Sequence, residues 1–209
     1  MRAPSRHRLA EAGSSVERWA LKKIGIYGGT FDPVHHAHLI LARDALETLG
    51  LDKVIFVPAA ISPLKKSAPM ASGEVRLAML RAAIEGEARF AVDPCELCRP
   101  TPSYTIDTVK QIRQNNRDAS IYFLIGEDNV GTLTKWHQFA ELEKLVRFII
   151  LDRTGKSAQH SYPVVERKIN ISATEIRKRV ASGQSIRYLV PPAVEEIIRR
   201  EKLYLEQSK

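Results

Sequence analysis

The sequence of 209 residues contains few cysteines and no long apolar run. Its two cysteines cannot build a disulfide framework, so a reducing, cytoplasmic setting is expected. No apolar run approaches the roughly 18 residues that a membrane-spanning helix needs. The first 20 residues carry arginines but no apolar core, so the sequence predicts no secretory signal. These absences argue against membrane-spanning and disulfide-stapled secreted proteins.

Chemistry based on cysteine or on a catalytic triad is also poorly supported. The pair Cys95-x-x-Cys98 offers two of the four ligands of a structural zinc site, and a redox pair needs a thioredoxin-like setting. No serine–histidine–aspartate order and no setting for a nucleophilic cysteine stands out. We therefore expect no metal site built from side chains.

Acidic residues are in the minority, with 24 against 32 lysines and arginines, which gives a net charge of +8. Such a surplus suits nucleic acid, and it also suits a basic cleft for a phosphate-rich small substrate. Part of it is local, because residues 1–23 hold six basic residues against two acidic ones. We expect a small-molecule substrate rather than a nucleic acid or a membrane as partner, and the oligomeric state stays open.

Short apolar runs alternate with segments of helical periodicity along the chain. Strands are predicted near 24–27, 54–57, 90–92, 121–125 and 148–151, and helices near 39–49, 77–84, 104–115, 173–181 and 193–202. This alternation predicts an α/β fold, a Rossmann-like doubly wound parallel sheet in a single domain with C-terminal helices. The domain is expected over residues 23–209, after a basic, partly disordered N-terminal extension of residues 1–22.

The most informative segment is Gly28-Gly29-Thr30-Phe31-Asp32-Pro33-Val34-His35-His36-Ala37-His38. It lies between the end of a predicted strand and the start of a helix. Glycines there allow the backbone to approach a ligand, and the helix start offers unpaired N–H groups to an anion. His35 and His38 are spaced to share one side of the first helical turn. The segment therefore predicts a polyphosphate site, although glycines and solvated histidines also occur at such junctions without a ligand.

A second anion site is predicted at Ile171-Ser172-Ala173-Thr174-Glu175-Ile176-Arg177. Ser172 or Thr174 can cap a helix there, and Arg177 follows one turn later. The alternative is an ordinary capped helix with a solvated basic face, since Lys178 and Arg179 come next.

The first segment resembles the nucleotide-binding signature of the nucleotidyltransferase α/β phosphodiesterase superfamily, which uses a His-x-Gly-His or Thr-x-Gly-His element on ATP or CTP. Ala37 stands where that superfamily usually has glycine. Within it, the chain from about Lys23 onward resembles the bacterial nicotinate-nucleotide adenylyltransferase family. The resemblance implies ATP-binding roles for Gly28, Gly29, Thr30, Phe31, Ser172, Thr174 and Arg177.

Three further segments carry the same resemblance. Residues 58–65 resemble a Pro-x-x-x-x-Pro-His-Lys element in which Leu64 replaces histidine, and Lys65 is then expected on the ATP phosphates. Ser103, Tyr104 and Thr105 resemble the segment that shapes the pyridine pocket. Gly126, Asp128 and Trp136 resemble an Ile-Gly-x-Asp…Trp pattern, in which the indole stacks on the ring.

The resemblance implies adenylyl transfer from ATP, with Mg²⁺, to nicotinate mononucleotide, giving deamido-NAD and pyrophosphate in NAD biosynthesis. His35 and His38 are the expected catalytic residues. The alternatives are another adenylyltransferase of the same fold, acting on phosphopantetheine or nicotinamide mononucleotide, and a non-catalytic nucleotide sensor.

Overall fold

Six parallel strands form the central sheet, and the apolar runs of the sequence supply them. The computed structural model describes residues 22–60, 68–155 and 160–206. The strands are β1 (Lys23–Gly29), β2 (Lys53–Pro58), β3 (Phe90–Val92), β4 (Ser120–Gly126), β5 (Arg147–Asp152) and β6 (Val164–Glu166).

Helices connect the strands and close the chain. They are α1 (His36–Thr48), α2 (Gly73–Ala83), α3 (Cys95–Cys98), α4 (Thr105–Asn115), α5 (Phe139–Leu145), α6 (Ala173–Ala181) and α7 (Pro192–Arg200). A 3₁₀ helix spans Glu127–Lys135 and follows β4 directly. None of these helices in the described segments is long and apolar enough to cross a membrane.

The strand order is β3-β2-β1-β4-β5-β6, and every neighbouring pair is parallel. The chain order reverses between β1 and β4, which opens a crevice beyond the carboxyl ends of these two central strands. The predicted Rossmann-like, doubly wound sheet is therefore confirmed. The crevice is the place where the fold positions a ligand.

Both faces of the sheet are covered by apolar side chains. Along β1, Ile24 and Ile26 belong to one buried cluster with α4, while Tyr27 belongs to the other cluster with α1, α2 and α7. The short apolar runs are thus buried on both sides, as parallel strands require. Burial on both faces keeps β1 and the turn that follows it in a fixed position.

Several local features differ from the predictions. Strand β6 and helices α3 and α5 were not predicted, because each is too short to show periodicity. Helix α4 begins one residue later than predicted, at Thr105, with Tyr104 as its N-cap and no capping side chain. The extension, apart from residue 22, and the predicted ATP ligand Lys65 lie outside the described residues.

Candidate functional site

The turn after β1 brings the backbone close to the crevice. A Cβ on Gly29 would lie 2.8 Å from Cζ of Phe31, so only glycine fits there while that ring keeps its place. Phe31 has a φ of 49°, a left-handed conformation that costs a residue with a side chain about 1–3 kcal/mol. Burial of its ring, which is 2% exposed, offsets that cost. Phe31 is buried as a whole residue, and the predicted ATP ligands Gly28 and Thr30 lie beside this turn, in β1 and directly after it.

The two predicted catalytic histidines are adjacent at the start of α1. Their rings stack with centroids 3.7 Å apart and planes 20° from parallel. The N–H of His35 donates to Nδ1 of His38 at 3.3 Å. The His38 ring also contacts Tyr27 and Phe31 edge-on. The predicted shared face of the first helical turn is therefore present.

Both histidines are neutral at physiological pH. Burial lowers the pKa of His35 to about 3, and the charges of Arg153 and His36 act in the same direction. Burial also holds the pKa of His38 well below its usual range, with further contributions from His35 and Arg153. Because Nδ1 of His38 accepts a hydrogen bond, its single proton is assigned to Nε2. The pair thus offers neutral imidazole donors rather than imidazolium charges.

Helix α6 supplies the predicted second group of polar residues. Ser172 is its N-cap, and its hydroxyl accepts the N–H of Glu175 at 3.1 Å. Arg177 donates from Nη1 to the carbonyl of Asp32 at 2.7 Å and from Nη2 to the hydroxyl of Thr174 at 3.3 Å. Since Asp32 belongs to the turn after β1, the structure brings the two predicted phosphate-binding segments together.

A further cation at this site, Arg153, was not predicted. It follows β5 and donates from Nη1 to the carbonyl of Ile171 at 2.7 Å. The buried carboxylate of Asp152 accepts the N–H groups of Thr154 and Gly155, which fixes the turn that carries Arg153. The only sequence signal was its place just after a buried strand, where ligands of parallel sheets lie.

The predicted pyridine-pocket residues lie at the start of α4. Thr105 is the first residue of that helix, where N–H groups lack helical partners. Ser103 is 8% exposed, and its buried Oγ has no hydrogen-bond partner among the described residues. The Tyr104 ring stacks on His137 with centroids 4.1 Å apart, which joins this segment to the one after the 3₁₀ helix.

Trp136, Gly126 and Asp128 approach the same crevice from β4 and the 3₁₀ helix. Trp136 is partly buried and packs edge-on against Phe123, whose ring would lie 3.3 Å from a Cβ on Gly28. Asp128 is exposed. The pKa of Tyr27 is raised by the burial of Tyr27 itself and, to a smaller extent, by the charge of Asp128. Tyr27 in turn contacts His38, so residues after β1, β4 and β5 converge on one end of the sheet.

The donor set of this site suits phosphate better than a metal ion. Its side chains are two neutral histidines, two arginines and the exposed carboxylate of Asp128. In the three described segments, no group of three or more His, Cys, Asp or Glu residues is arranged to hold a metal. Cys95 and Cys98 are free thiols on α3.

Comparison with known proteins places the chain in a family. A cytidylyltransferase-like family model matches residues 26–179. A protein of Shouchella clausii named "probable nicotinate-nucleotide adenylyltransferase" is 46% identical over 194 residues, covering 90% of this chain and 100% of that one. One of Geobacillus thermodenitrificans with the same name is 44% identical over 185 residues, covering 87% of this chain and 86% of that one.

A solved structure shares the fold at lower identity. It is Plasmodium falciparum nicotinic acid mononucleotide adenylyltransferase complexed with NaAD, with a TM-score of 0.70 and 21% identity over 88% of this chain and 97% of that one. At this identity the likeness concerns the fold alone. The family model and the relatives above 40% identity complete the assignment: this chain belongs to the cytidylyltransferase-like family and, within it, to the nicotinate-nucleotide adenylyltransferases.

Proposed function

We propose that this chain joins nicotinate mononucleotide to ATP, with deamido-NAD and pyrophosphate as products. The observation that carries the proposal is the stacked, neutral pair of His35 and His38 at the start of α1, with Arg177 and Arg153 beside it. Family membership supplies the reaction class, and these four side chains supply donors and positive charge for a polyphosphate.

The reaction needs positioning more than acid–base chemistry. An oxygen of the 5′-phosphate of the mononucleotide attacks the α-phosphorus of ATP, and the bond between this phosphorus and the bridging oxygen breaks. Pyrophosphate leaves with that electron pair. Since a phosphate is already anionic near pH 7, the nucleophile needs no general base. The protein then has to align two anions and stabilise the charge that develops on the α-phosphate and on the leaving group.

His35 and His38 serve as donors at the reacting centre. Neutral imidazoles suit this task because they donate a hydrogen bond without the desolvation cost of a buried cation. In His38 the donor is the Nε2–H, since Nδ1 accepts from the backbone of His35. Their position at the helix N-terminus adds backbone N–H groups and a partial positive charge at the same place.

Arg177 and Arg153 hold the β- and γ-phosphates. Each guanidinium is anchored by one backbone carbonyl, that of Asp32 or of Ile171, which leaves further N–H groups for phosphate oxygens. Lys65 is retained as a phosphate ligand on the basis of the sequence. Ser172 and Thr174 complete the ATP side, because they shape the start of α6 from which Arg177 projects.

The mononucleotide binds between the start of α4 and the 3₁₀ helix. The N–H groups near Thr105 and the unpartnered hydroxyl of Ser103 suit the pyridine carboxylate. Trp136 offers a flat face to the cationic ring. Gly126 allows the carboxylate of Asp128 to lie against the backbone, because a Cβ at Gly126 would be 2.6 Å from Oδ1 of Asp128. Tyr104 lines the same pocket.

Magnesium would accompany ATP. Because the described residues form no cluster of metal ligands, the ion would be held by phosphate oxygens and water, where it neutralises phosphate charge. Both arginines would then bind a nucleotide whose net negative charge is partly compensated.

A substrate panel tests this proposal. The purified chain is incubated with ATP and, separately, nicotinate mononucleotide, nicotinamide mononucleotide or phosphopantetheine, and pyrophosphate release and product mass are measured. We expect deamido-NAD as the main product and no pyrophosphate without an acceptor. If no pyrophosphate is released with any of the three acceptors, the chain is a non-catalytic nucleotide sensor. If phosphopantetheine is the preferred acceptor, it replaces nicotinate mononucleotide as the proposed substrate.

A further inference from the structure

The last segment of the chain reaches back to the nucleotide turn. After α7, the chain adopts left-handed backbone conformations at Lys202 (φ 49°) and Tyr204 (φ 61°), which turn it toward the sheet. Tyr204 is 5% exposed and packs in the same buried cluster as Phe31. Its hydroxyl donates to Oδ1 of Asp32 at 2.6 Å across 172 residues of sequence.

The carboxylate of Asp32 joins three segments. Besides the Tyr204 hydroxyl, it accepts the N–H of Met70 at 2.7 Å on Oδ2 and the N–H of Ala71 at 3.2 Å on Oδ1. Asp32 is 5% exposed, so these three donors replace water around a buried carboxylate. The turn after β1, the segment before α2 and the C-terminal segment therefore share one hydrogen-bonded centre.

The same residue holds Arg177 through its main chain. The carbonyl of Asp32 accepts Nη1 of Arg177 at 2.7 Å. A displacement of the Asp32 side chain therefore moves the carbonyl that orients the guanidinium. Arg76 supports the turn from the other side, because its buried guanidinium donates to the carbonyls of Thr30 and Ala59 at 2.8 and 2.7 Å.

We propose that Tyr204 is a positioning residue for ATP: its hydroxyl holds the side chain of Asp32, and the carbonyl of the same residue orients Arg177. This inference rests on the proposed role of Arg177 in holding the ATP phosphates. It assigns the C-terminal segment a part in nucleotide binding, although Tyr204 itself touches no substrate.

The chemistry of the hydroxyl supports this assignment. Burial raises the pKa of Tyr204, and the hydrogen bond to Asp32 and the charge of Asp32 raise it further. The phenol therefore remains protonated and acts as a permanent donor. Among the donors to Asp32 it is the only one from a side chain in the described residues, so it can be removed without altering the backbone.

Tyr204→Phe tests the proposal, with Tyr122→Phe as its matched control. Tyr122 is 7% exposed, and its hydroxyl makes no hydrogen bond to the described residues. Steady-state kinetics give KM for ATP and for nicotinate mononucleotide, and calorimetry gives Kd for ATP alone. We expect Tyr204→Phe to raise KM and Kd for ATP by about tenfold or more, the usual size of one lost hydrogen bond to a charged group. In Tyr204→Phe, KM for the mononucleotide should stay close to the wild-type value. In the control variant Tyr122→Phe, all of these constants should stay close to wild type.

A double-mutant cycle separates positioning from general stabilisation. In the Arg177→Ala background, Tyr204→Phe should have little further effect on Kd for ATP, because its influence passes through that guanidinium. Asp32→Asn, which keeps the side-chain shape, serves as a second variant and should mimic Tyr204→Phe. An additive effect of Tyr204→Phe, or unchanged ATP affinity in a folded variant, would overturn the proposal.

The wild-type protein distinguishes this failure from failure of the proposed function. If the wild type makes deamido-NAD and Tyr204→Phe binds ATP normally, only the positioning role is wrong. If the wild type makes no adenylylated product, the proposed function is wrong, whereas the calorimetric comparison still decides whether Tyr204 controls ATP affinity.

Discussion

The backbone N–H of His35 donates to Nδ1 of His38 at 3.3 Å, and this bond determines which nitrogen of His38 carries the proton. In a neutral ring with Nδ1 as acceptor, the donor is Nε2–H. The bond therefore does two things: it satisfies an N–H at the helix start, and it sets the donor that we assign to the reacting phosphate. The stack with His35 then fixes the plane of that donor.

Replacement of His38 by alanine should lower kcat by about 10²–10³, the usual cost of one lost donor to developing charge. His38→Gln should retain more activity, because the glutamine amide can place an N–H near the position of Nε2. His36→Ala is the matched control on the same helical turn and should keep most of the activity. Near-normal turnover of a folded His38→Ala protein would remove the histidine from the mechanism.

Arg177→Ala should raise KM for ATP by about 10–100-fold, since hydrogen bonds to charged groups are typically worth about 1.5–3 kcal/mol. KM for the mononucleotide should change little. Lysine should restore ATP binding only in part, because it lacks the planar fork that binds Asp32 and phosphate together. Lys178→Ala, on the exposed side of α6, controls for a general loss of positive charge. Equal effects at both positions would contradict a specific role.

The buried side chain of His35 should make the protein sensitive to acid. The pKa of His35 is lowered from 6.5 to about 3 in the folded state, so below pH 6.5 the unfolded chain binds a proton that the folded chain does not. The contribution of His35 to stability is therefore complete above pH 6.5 and is lost as the pH falls toward 3.

Urea unfolding at several pH values measures this loss. His35→Gln should reduce the slope of unfolding free energy against pH by about 1.4 kcal/mol per pH unit between about pH 5.5 and 4. His137→Gln, which removes an exposed histidine, should leave the slope closer to wild type. Identical slopes for wild type and His35→Gln would show that His35 does not resist protonation in the folded state.

The pocket should prefer the acid over the amide. The N–H groups near Thr105 can pair with a carboxylate, whereas the NH₂ of an amide would face them as a second donor and leave them unpaired. Equal concentrations of nicotinate and nicotinamide mononucleotide compete for limiting enzyme, and product masses give the ratio. We expect deamido-NAD in large excess. An excess of NAD would change the substrate but leave the adenylyl-transfer mechanism in place.

Trp136→Ala gives an independent test of the ring platform. It should weaken both mononucleotides and spare ATP, because an indole face interacts with either pyridinium ring. Replacement of Trp136 by phenylalanine, which keeps a flat ring, should have a smaller effect. A selective loss of ATP binding would place Trp136 on the other side of the crevice.

The sequence alone predicted the strands and helices that show a clear apolar run or helical periodicity. Strands β1 to β5 are apolar runs bounded by polar or turn residues, and α1, α4 and α6 show helical spacing. The rule that ligands lie beyond the carboxyl ends of parallel strands then placed the turn after β1 at the crevice. The resemblance, rather than periodicity, gave the roles of individual side chains.

Contacts between distant segments could not be predicted in this way. Arg76 looks like a polar residue on the exposed face of a helix, yet it is 2% exposed and donates to two carbonyls of other segments. The bond between Tyr204 and Asp32 depends on how the C-terminal segment folds back, which no local pattern encodes. The same holds for Arg153, whose importance follows from its position beside the histidines.

The stack of Tyr104 on His137 links the two halves of the proposed mononucleotide pocket. Tyr104 precedes α4, and His137 directly follows Trp136, so this contact joins the proposed carboxylate-binding segment to the proposed ring platform. Substitutions in the two segments are then energetically coupled, because each changes the surface on which the other rests. Under the proposed roles, selectivity for the pyridine ring would therefore depend on both segments together.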